Sequence, residues 1–245
     1  MKRALVTGGG AGIGAAIAVG LHEAGYFVGI LDRDGYAANT VAAKLENAIA
    51  IKADISVPDQ ISTVFKDFGG LDVLINNAGI VRFGPLLEIA LEDVQSVIDV
   101  NLRGSFLVAQ SAAQAMQGSG GGVIVNMTSI NAVHPAPEVG FYAATKAALT
   151  SLTSLMAIEW GPLGIRVNAI APGFIDAGMS APVFSNPEVR AKRSAGVPVR
   201  SLGTAFDVVN AVLYLVSDQA RYVNGHQLVV DGGVINSVLA HLPRN

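Results

Sequence analysis

Residues 5 to 14 read LVTGGGAGIG, an apolar strand pattern that runs into five glycines within seven positions. Three readings compete for it: a flexible hinge, a phosphate cradle for a mononucleotide, and the mouth of a dinucleotide site. Gly9 to Gly14 fits GxxxxG, but Ala15 follows where a mononucleotide loop needs Lys to reach the β and γ phosphates, so that reading fails. The strict fingerprint GxGxxG is absent too. What stands here is Thr7-Gly8, three residues, then Gly12-Ile13-Gly14 opening an alanine-rich helix directly after a strand. Glycines permit positive φ and close backbone approach, and the helix N-terminus offers unpaired N–H groups to a pyrophosphate, so a dinucleotide is favoured.

Working outward, the second strand ends at Leu31-Asp32, eighteen residues beyond Gly14, where a ribose-binding carboxylate belongs. Asp32 would accept hydrogen bonds from the adenosine ribose and repel a 2′-phosphate, which favours NAD over NADP. Arg33 stands against this as a residue able to meet a phosphate, although it also reads as a solvated charge or a cover over adenine. Ala11, inside the loop, carries no charge.

Apolar runs recur at 3–7, 27–31, 48–52, 72–76, 123–127, 166–170 and 227–231. They do not alternate with polar residues, as suits strands covered on both faces of a parallel sheet. Between the first six lie stretches long enough for helices: 13–24, 35–46, 59–68, 92–117 and 142–160. The alternation predicts a single α/β domain over 1–245, a doubly wound parallel sheet of seven strands with helices on both faces. Residues 174–202, with three prolines, break the rhythm and read as a substrate lid or a plain surface excursion.

Composition narrows the function. Residues are 51% hydrophobic and 14% charged, enough to bury a large core, and the net charge of −3 without any basic cluster excludes the footprint of a nucleic-acid binder. There is no cysteine, and His22, His134, His226 and His241 lack ligand spacing, so no metal site is expected. No run approaches a membrane span, and glycines interrupt what would be the apolar region of a signal peptide; a cytoplasmic protein is expected.

Later in the chain stands Tyr142-Ala143-Ala144-Thr145-Lys146, preceded by Ser129 at the end of the fifth strand. Positions i and i+4 share a helix face, so phenol and ammonium point into the same space, and a neighbouring cation favours the phenolate of a tyrosine whose pKa is otherwise ~10. YxxxK alone is a weak signal. Taken with TGGGAGIG, Asp54-Ile55, Asn76-Asn77-Ala78-Gly79, Asn101, Asn168-Ala169 and Pro172-Gly173, it resembles the single-domain members of the short-chain dehydrogenase/reductase family, from about Arg3 to Gly233.

The resemblance implies a Rossmann-type fold and a role for each matching residue. Gly8, Gly12, Ile13 and Gly14 would cradle the pyrophosphate, Asp32 the ribose, and Asp54 with Ile55 the adenine. Asn76, Ala78 and Gly79 would form the floor, with Pro172, Gly173 and Ile175 beside the nicotinamide. Tyr142 would exchange a proton with the substrate oxygen, Ser129 would hold that oxygen, Lys146 would bind the nicotinamide ribose and lower the Tyr142 pKa, and Asn101 would anchor a relay water. The family's usual threonine after Pro172-Gly173 is Ala177 here.

The expected reaction is hydride transfer between a secondary alcohol, a sugar or cyclic alcohol among the options, and NAD, reversible to carbonyl reduction. A 3-oxoacyl carrier-protein reductase is the competing enzyme, although its members usually carry a basic residue at Ala11 and prefer NADPH; a non-catalytic dinucleotide sensor or scaffold is the competitor from another class. Asn131, His134 and Phe174, with Ile130, Arg82 and Phe83, are candidate substrate contacts. The loop from Phe174 to Val199 is a further candidate; its Arg190, Lys192 and Arg193 raise the option of an anionic substrate, but they read first as the ordinary cations of a helix opened by Asn186-Pro187-Glu188. Small-molecule substrates and copies of the chain are the expected partners. The resemblance implies a homotetramer built on segments 92–117 and 142–160 and on the last strand and tail, where Val234, Ile235, Val238, Leu239 and Leu242 form an apolar face.

Overall fold

The computed structural model describes residues 1–237; the tail positions Val238, Leu239 and Leu242 lie outside them. Seven strands, β1 (Arg3–Thr7), β2 (Phe27–Asp32), β3 (Ala48–Lys52), β4 (Val73–Asn76), β5 (Gly122–Met127), β6 (Ile165–Pro172) and β7 (Gln227–Val230), form one sheet in the order 3-2-1-4-5-6-7. Every pairing is parallel.

Neighbouring residues on each strand enter opposite cores, which explains the unbroken apolar runs. Val6, Ile30, Ile75 and Val125 join one core with α1 (Gly12–Glu23), α2 (Gly35–Ala42) and α9 (Ala205–Val216), through Ile17, Leu21, Ala38 and Val212. Leu5, Leu31, Leu74 and Ile124 join the other with α3 (Pro58–Phe68), α5 (Ser105–Gln117) and α6 (Tyr142–Trp160), through Ile61, Phe68, Val108, Met116 and Met156. Truncating one of these fully buried leucines to alanine removes packing worth about 2–5 kcal/mol.

The strand order reverses between β1 and β4, so their carboxyl ends diverge and open a crevice, the usual ligand position in such sheets. Thr7, at the end of β1, closes the base of the crevice: its Oγ1 accepts the N–H groups of Asn77 and Ala78, both at 3.0 Å.

Three elements depart from expectation. The helix expected over 92–117 is two helices, α4 (Leu91–Ile98) and α5, joined by a π-helical turn at Asp99–Gly104. Apolar spacing does not register one extra residue in a turn. The π turn sits where Gly104 meets the Ile55 carbonyl, leaving no room for a side chain, and where Asn101 turns fully inward. The helix expected over 35–46 stops at Ala42, and α9, absent from the sequence expectations, fills the gap between β6 and β7. Residues 174–202 fold into a short turn, α7 (Ala181–Phe184) and α8 (Pro187–Gly196). Asn186 caps α8 as its sequence order predicts, accepting from Glu188 and Val189 N–H. No helix among the described residues is long and apolar enough to cross a membrane, and no group of His, Asp or Glu among them is arranged to hold a metal.

Candidate active site

The glycine loop is built for backbone approach. Gly8 and Gly12 hold φ of +62° and +55°, and a Cβ on Gly14 would fall on the Gly8 carbonyl oxygen, so α1 starts hard against the loop. Asn77 Nδ2 fastens this turn by donating to the carbonyls of Thr7 at 3.0 Å and Gly8 at 3.2 Å. Asp32 closes the far side: Oδ2 accepts from Gly10 N at 3.0 Å and Oδ1 from Asp34 N at 3.0 Å.

A groove runs from this loop past Asp32, Arg33, Asp54 and Ile55 to Ala78 and Gly79. Asp54 is oriented by Ser56, whose N–H and hydroxyl both donate to Oδ1. The groove thus offers helix N–H groups and side-chain-free backbone at one end and a carboxylate at the end of β2, the donor and acceptor set that a dinucleotide requires. NAD or NADP fits these residues.

A second cavity, of about 250 Å³, adjoins the groove and shares Ile13, Asn77 and Met179 with it. Ser129, Tyr142 and Lys146 stand on one wall; Pro172, Gly173, Phe174, Ile175 and Ala177 form another. Ser129 ends the crossover from β5, and its Oγ accepts from Asn131 N at 3.1 Å, which leaves its own proton to donate. Lys146 is buried, and its Nζ donates to the Met127 carbonyl at 2.8 Å and lies 5.6 Å from the centre of the Tyr142 ring.

Burial governs both titratable groups. It pushes the Tyr142 phenol above its ordinary value, partly offset by the hydrogen bond from Ser129, which favours the phenolate. Burial also lowers Lys146 to about 8. Desolvation sets the direction of the Tyr142 shift, and the Lys146 ammonium is engaged by the Met127 carbonyl. Gly79 lies at the junction of this wall, where a methyl group would sit 3.3 Å from Asn101 Oδ1 and 3.4 Å from Lys146 Nζ.

Three further expectations, on Asn76, His134 and Arg82, are corrected by position. Asn76 does not face the groove; it is buried between β4 and β5, donating to Ser105 O at 2.7 Å and Asn126 Oδ1 at 3.1 Å. Strand alternation turns it inward and gives the groove its neighbour Asn77. Asn101 lines neither cavity: Nδ2 donates to Ile80 O and Thr145 Oγ1, and Oδ1 accepts from Ile80 N. This packing leaves the expectation that Asn101 anchors a relay water untouched. His134 is exposed and outside the cavity, carried away by the turn that follows Ile130. Arg82 turns out to pair with Asp93 at 3.1 Å, although Phe83 does line the cavity. Asn131 and Phe174 line it as expected.

Residues the sequence did not name one by one are Asn77, Met179, Val183 and Phe184, the last three within the loop from Phe174 to Val199 that it offered as a whole. Asn77 was legible in the NNAG run, had the strand's inward face been assigned first. The others depend on how the lid folds over the sheet, which local spacing does not encode.

A family model described as enoyl-(acyl carrier protein) reductase matches residues 8–235. The 3-oxoacyl-[acyl-carrier-protein] reductase FabG of Staphylococcus aureus is 36% identical over 242 residues, covering 95% of this chain and 98% of its own. The chain belongs to the short-chain dehydrogenase/reductase family. Another family member, 3beta-hydroxysteroid dehydrogenase 1 of Eggerthella lenta, is 39% identical over 244 residues, covering 95% of this chain and 93% of its own. The crystal structure of a gluconate 5-dehydrogenase from Burkholderia cenocepacia J2315, solved with NADP and tartrate, superposes with a TM-score of 0.92 at 34% identity, covering 97% and 96% of the two chains. As a short-chain dehydrogenase/reductase, the chain is an oxidoreductase of CH–OH or carbonyl groups that uses a nicotinamide dinucleotide.

Proposed function

We propose that the chain is an NAD-preferring dehydrogenase of secondary alcohols, with Tyr142 as its acid/base group. The observation that carries this is the placement of Ser129, Tyr142 and Lys146 on one wall of a cavity that opens into the dinucleotide groove. Gly8, Gly12, Gly14, Asp32 and Asp54 would hold the pyrophosphate and adenosine, and Ala78, Gly79, Pro172 and Gly173 the nicotinamide half. The cofactor supplies a two-electron hydride acceptor. Oxidising a carbinol leaves a developing negative charge on its oxygen; Ser129 donates a hydrogen bond to that oxygen and Tyr142 takes its proton. In reduction the same phenol gives the proton back. Lys146 would hold the nicotinamide ribose, and its ammonium lies 5.6 Å from the centre of the Tyr142 ring. In the structure the Ile175 N–H donates to Gly173 O at 3.1 Å, so its use on the carboxamide, in place of the missing threonine, needs an exchange of partner.

The Burkholderia relative was solved with NADP, so family membership leaves the cofactor to local charge. Asp32 at the end of β2 supports NAD, since it lines the groove with its carboxylate fixed by the N–H groups of Gly10 and Asp34 and none of the glycine-loop residues is a cation; Arg33, which lines the groove beside it, is the one residue that argues for NADP. The expected result is a kcat/KM with NAD at least about tenfold above that with NADP, about 1.4 kcal/mol, and a smaller gap in Asp32→Ala. Equal efficiency with both cofactors in the wild type would contradict it.

The likeness to FabG favours a second reading, reduction of a 3-oxoacyl thioester, which the uncharged Ala11 opposes. Assembly belongs to the same proposal: a homotetramer that takes small-molecule substrates, supported by Leu155 and Ile158, 49% and 73% exposed on α6, and by Phe206 and Tyr222, 70% and 96% exposed near β7.

A further inference from the structure

The cavity lined by Ser129 and Tyr142 carries one feature that hydride transfer to a plain alcohol does not use. Of the three cations on α8, only Arg193 lines the cavity. Arg190 is paired with Asp176 and reaches the Phe184 carbonyl, and Lys192 is exposed to solvent. Arg193 instead lies over the Phe174 ring, its guanidinium carbon 4.6 Å from the ring centre. Among the described residues it has no carboxylate partner and its side chain makes no hydrogen bond, and no Asp or Glu lines the cavity. The other cation of the site, Lys146, is engaged by Met127.

Stacking on an aromatic face holds a guanidinium flat and leaves its N–H edges free, and the planar fork of arginine matches a carboxylate in a way an ammonium does not. Arg193 is itself exposed, at the solvent side of a cavity whose lining also includes the apolar Val81, Phe83, Val139 and Val183. A cation stacked on Phe174, in the same small cavity as the proton-transfer pair and with no acidic group lining it, fits a substrate that carries both an oxidisable carbon and an anion.

We propose that Arg193 is a specificity residue that binds the carboxylate of a compact hydroxy acid, or of the keto acid in the reverse direction, while Ser129 and Tyr142 engage the carbinol. This rests on the reading of the cavity as an alcohol dehydrogenase site. The test pairs a panel of short hydroxy acids with their methyl esters, which share the carbinol and differ in charge, in the wild type, Arg193→Met and Arg193→Lys. For at least one pair the wild type shows kcat/KM about tenfold or more higher for the acid, the preference lies in KM, and it collapses in Arg193→Met and returns only in part in Arg193→Lys. A wild type that favours the esters throughout, or an acid/ester ratio unchanged in Arg193→Met, overturns the proposal while leaving alcohol oxidation standing. Calorimetric titration of the same acids into the NAD-saturated protein reads Arg193 without turnover. Binding weakened about tenfold or more in Arg193→Met supports the proposal even if no alcohol is oxidised, an outcome that would sink only the dehydrogenase reading; equal dissociation constants, or no binding to the wild type, overturn it.

Discussion

Tyr142 stands between two opposing influences, burial that favours the neutral phenol and the Ser129 hydrogen bond that favours the phenolate. Burial dominates, so the phenol keeps its proton to a higher pH than a free tyrosine. Alcohol oxidation needs the phenolate and carbonyl reduction the phenol. Oxidation should therefore climb through the alkaline range, while reduction stays level at neutral pH and falls as the phenol ionises. Ser129→Ala removes the hydrogen bond that lowers the pKa, so the rising limb of oxidation should move to higher pH and kcat should drop about a hundredfold with the lost donor. A pH–rate profile that stays in place or moves to lower pH in Ser129→Ala would exclude this pairing. Tyr142 and Lys146 were legible in the sequence because i and i+4 on a helix share a face whatever surrounds them, and Ser129 through the family resemblance. His134 and Arg82 were not, because a loop residue's direction follows from the path of its backbone. Asn76 and Asn77 were confused because adjacent residues at a strand end face opposite ways.

At the scale of elements, the β1 loop and the start of α1 form the part on which dinucleotide binding depends. Because a Cβ at Gly14 would meet the Gly8 carbonyl oxygen, Gly14→Ala must push the first turn of α1 off the loop. The expected outcome is a lower thermal midpoint and an NAD dissociation constant raised by about tenfold or more, about 1.4 kcal/mol. Titration calorimetry showing unchanged NAD affinity in a folded Gly14→Ala protein would mean that the pyrophosphate does not sit there. The strands were legible as elements because both faces of each are covered and its apolar run is continuous. The π turn at Asp99–Gly104 was not, since its cause is the tertiary contact of Gly104 with Ile55. The lid was legible only as an interruption, and the Asn186 cap predicted the start of α8 but not that Arg193 would look into the cavity.

For the whole molecule, the single sheet and its switch between β1 and β4 put every cavity-lining segment at the carboxyl ends of the strands, and this much followed from the alternation of strands and helices. Assembly did not follow from it. The single chain buries Leu149 yet leaves Ile158 and Leu155 exposed on the same helix, and β7 is only half-buried at the sheet edge. Light scattering at micromolar concentration should report a tetramer, with Ile158→Glu shifting it toward smaller species by burying an unpaired charge in the α6 contact; a monomeric wild type would contradict the assembly. The account as a whole stands on proton transfer by Tyr142, and its most direct test is steady-state turnover, read by absorbance of the reduced cofactor, with NAD and a panel of secondary alcohols in wild type and Tyr142→Phe. The predicted result is turnover in the wild type and a kcat at least about a hundredfold lower in Tyr142→Phe with NAD binding retained. A Tyr142→Phe protein that turns over at nearly the wild-type kcat would contradict it.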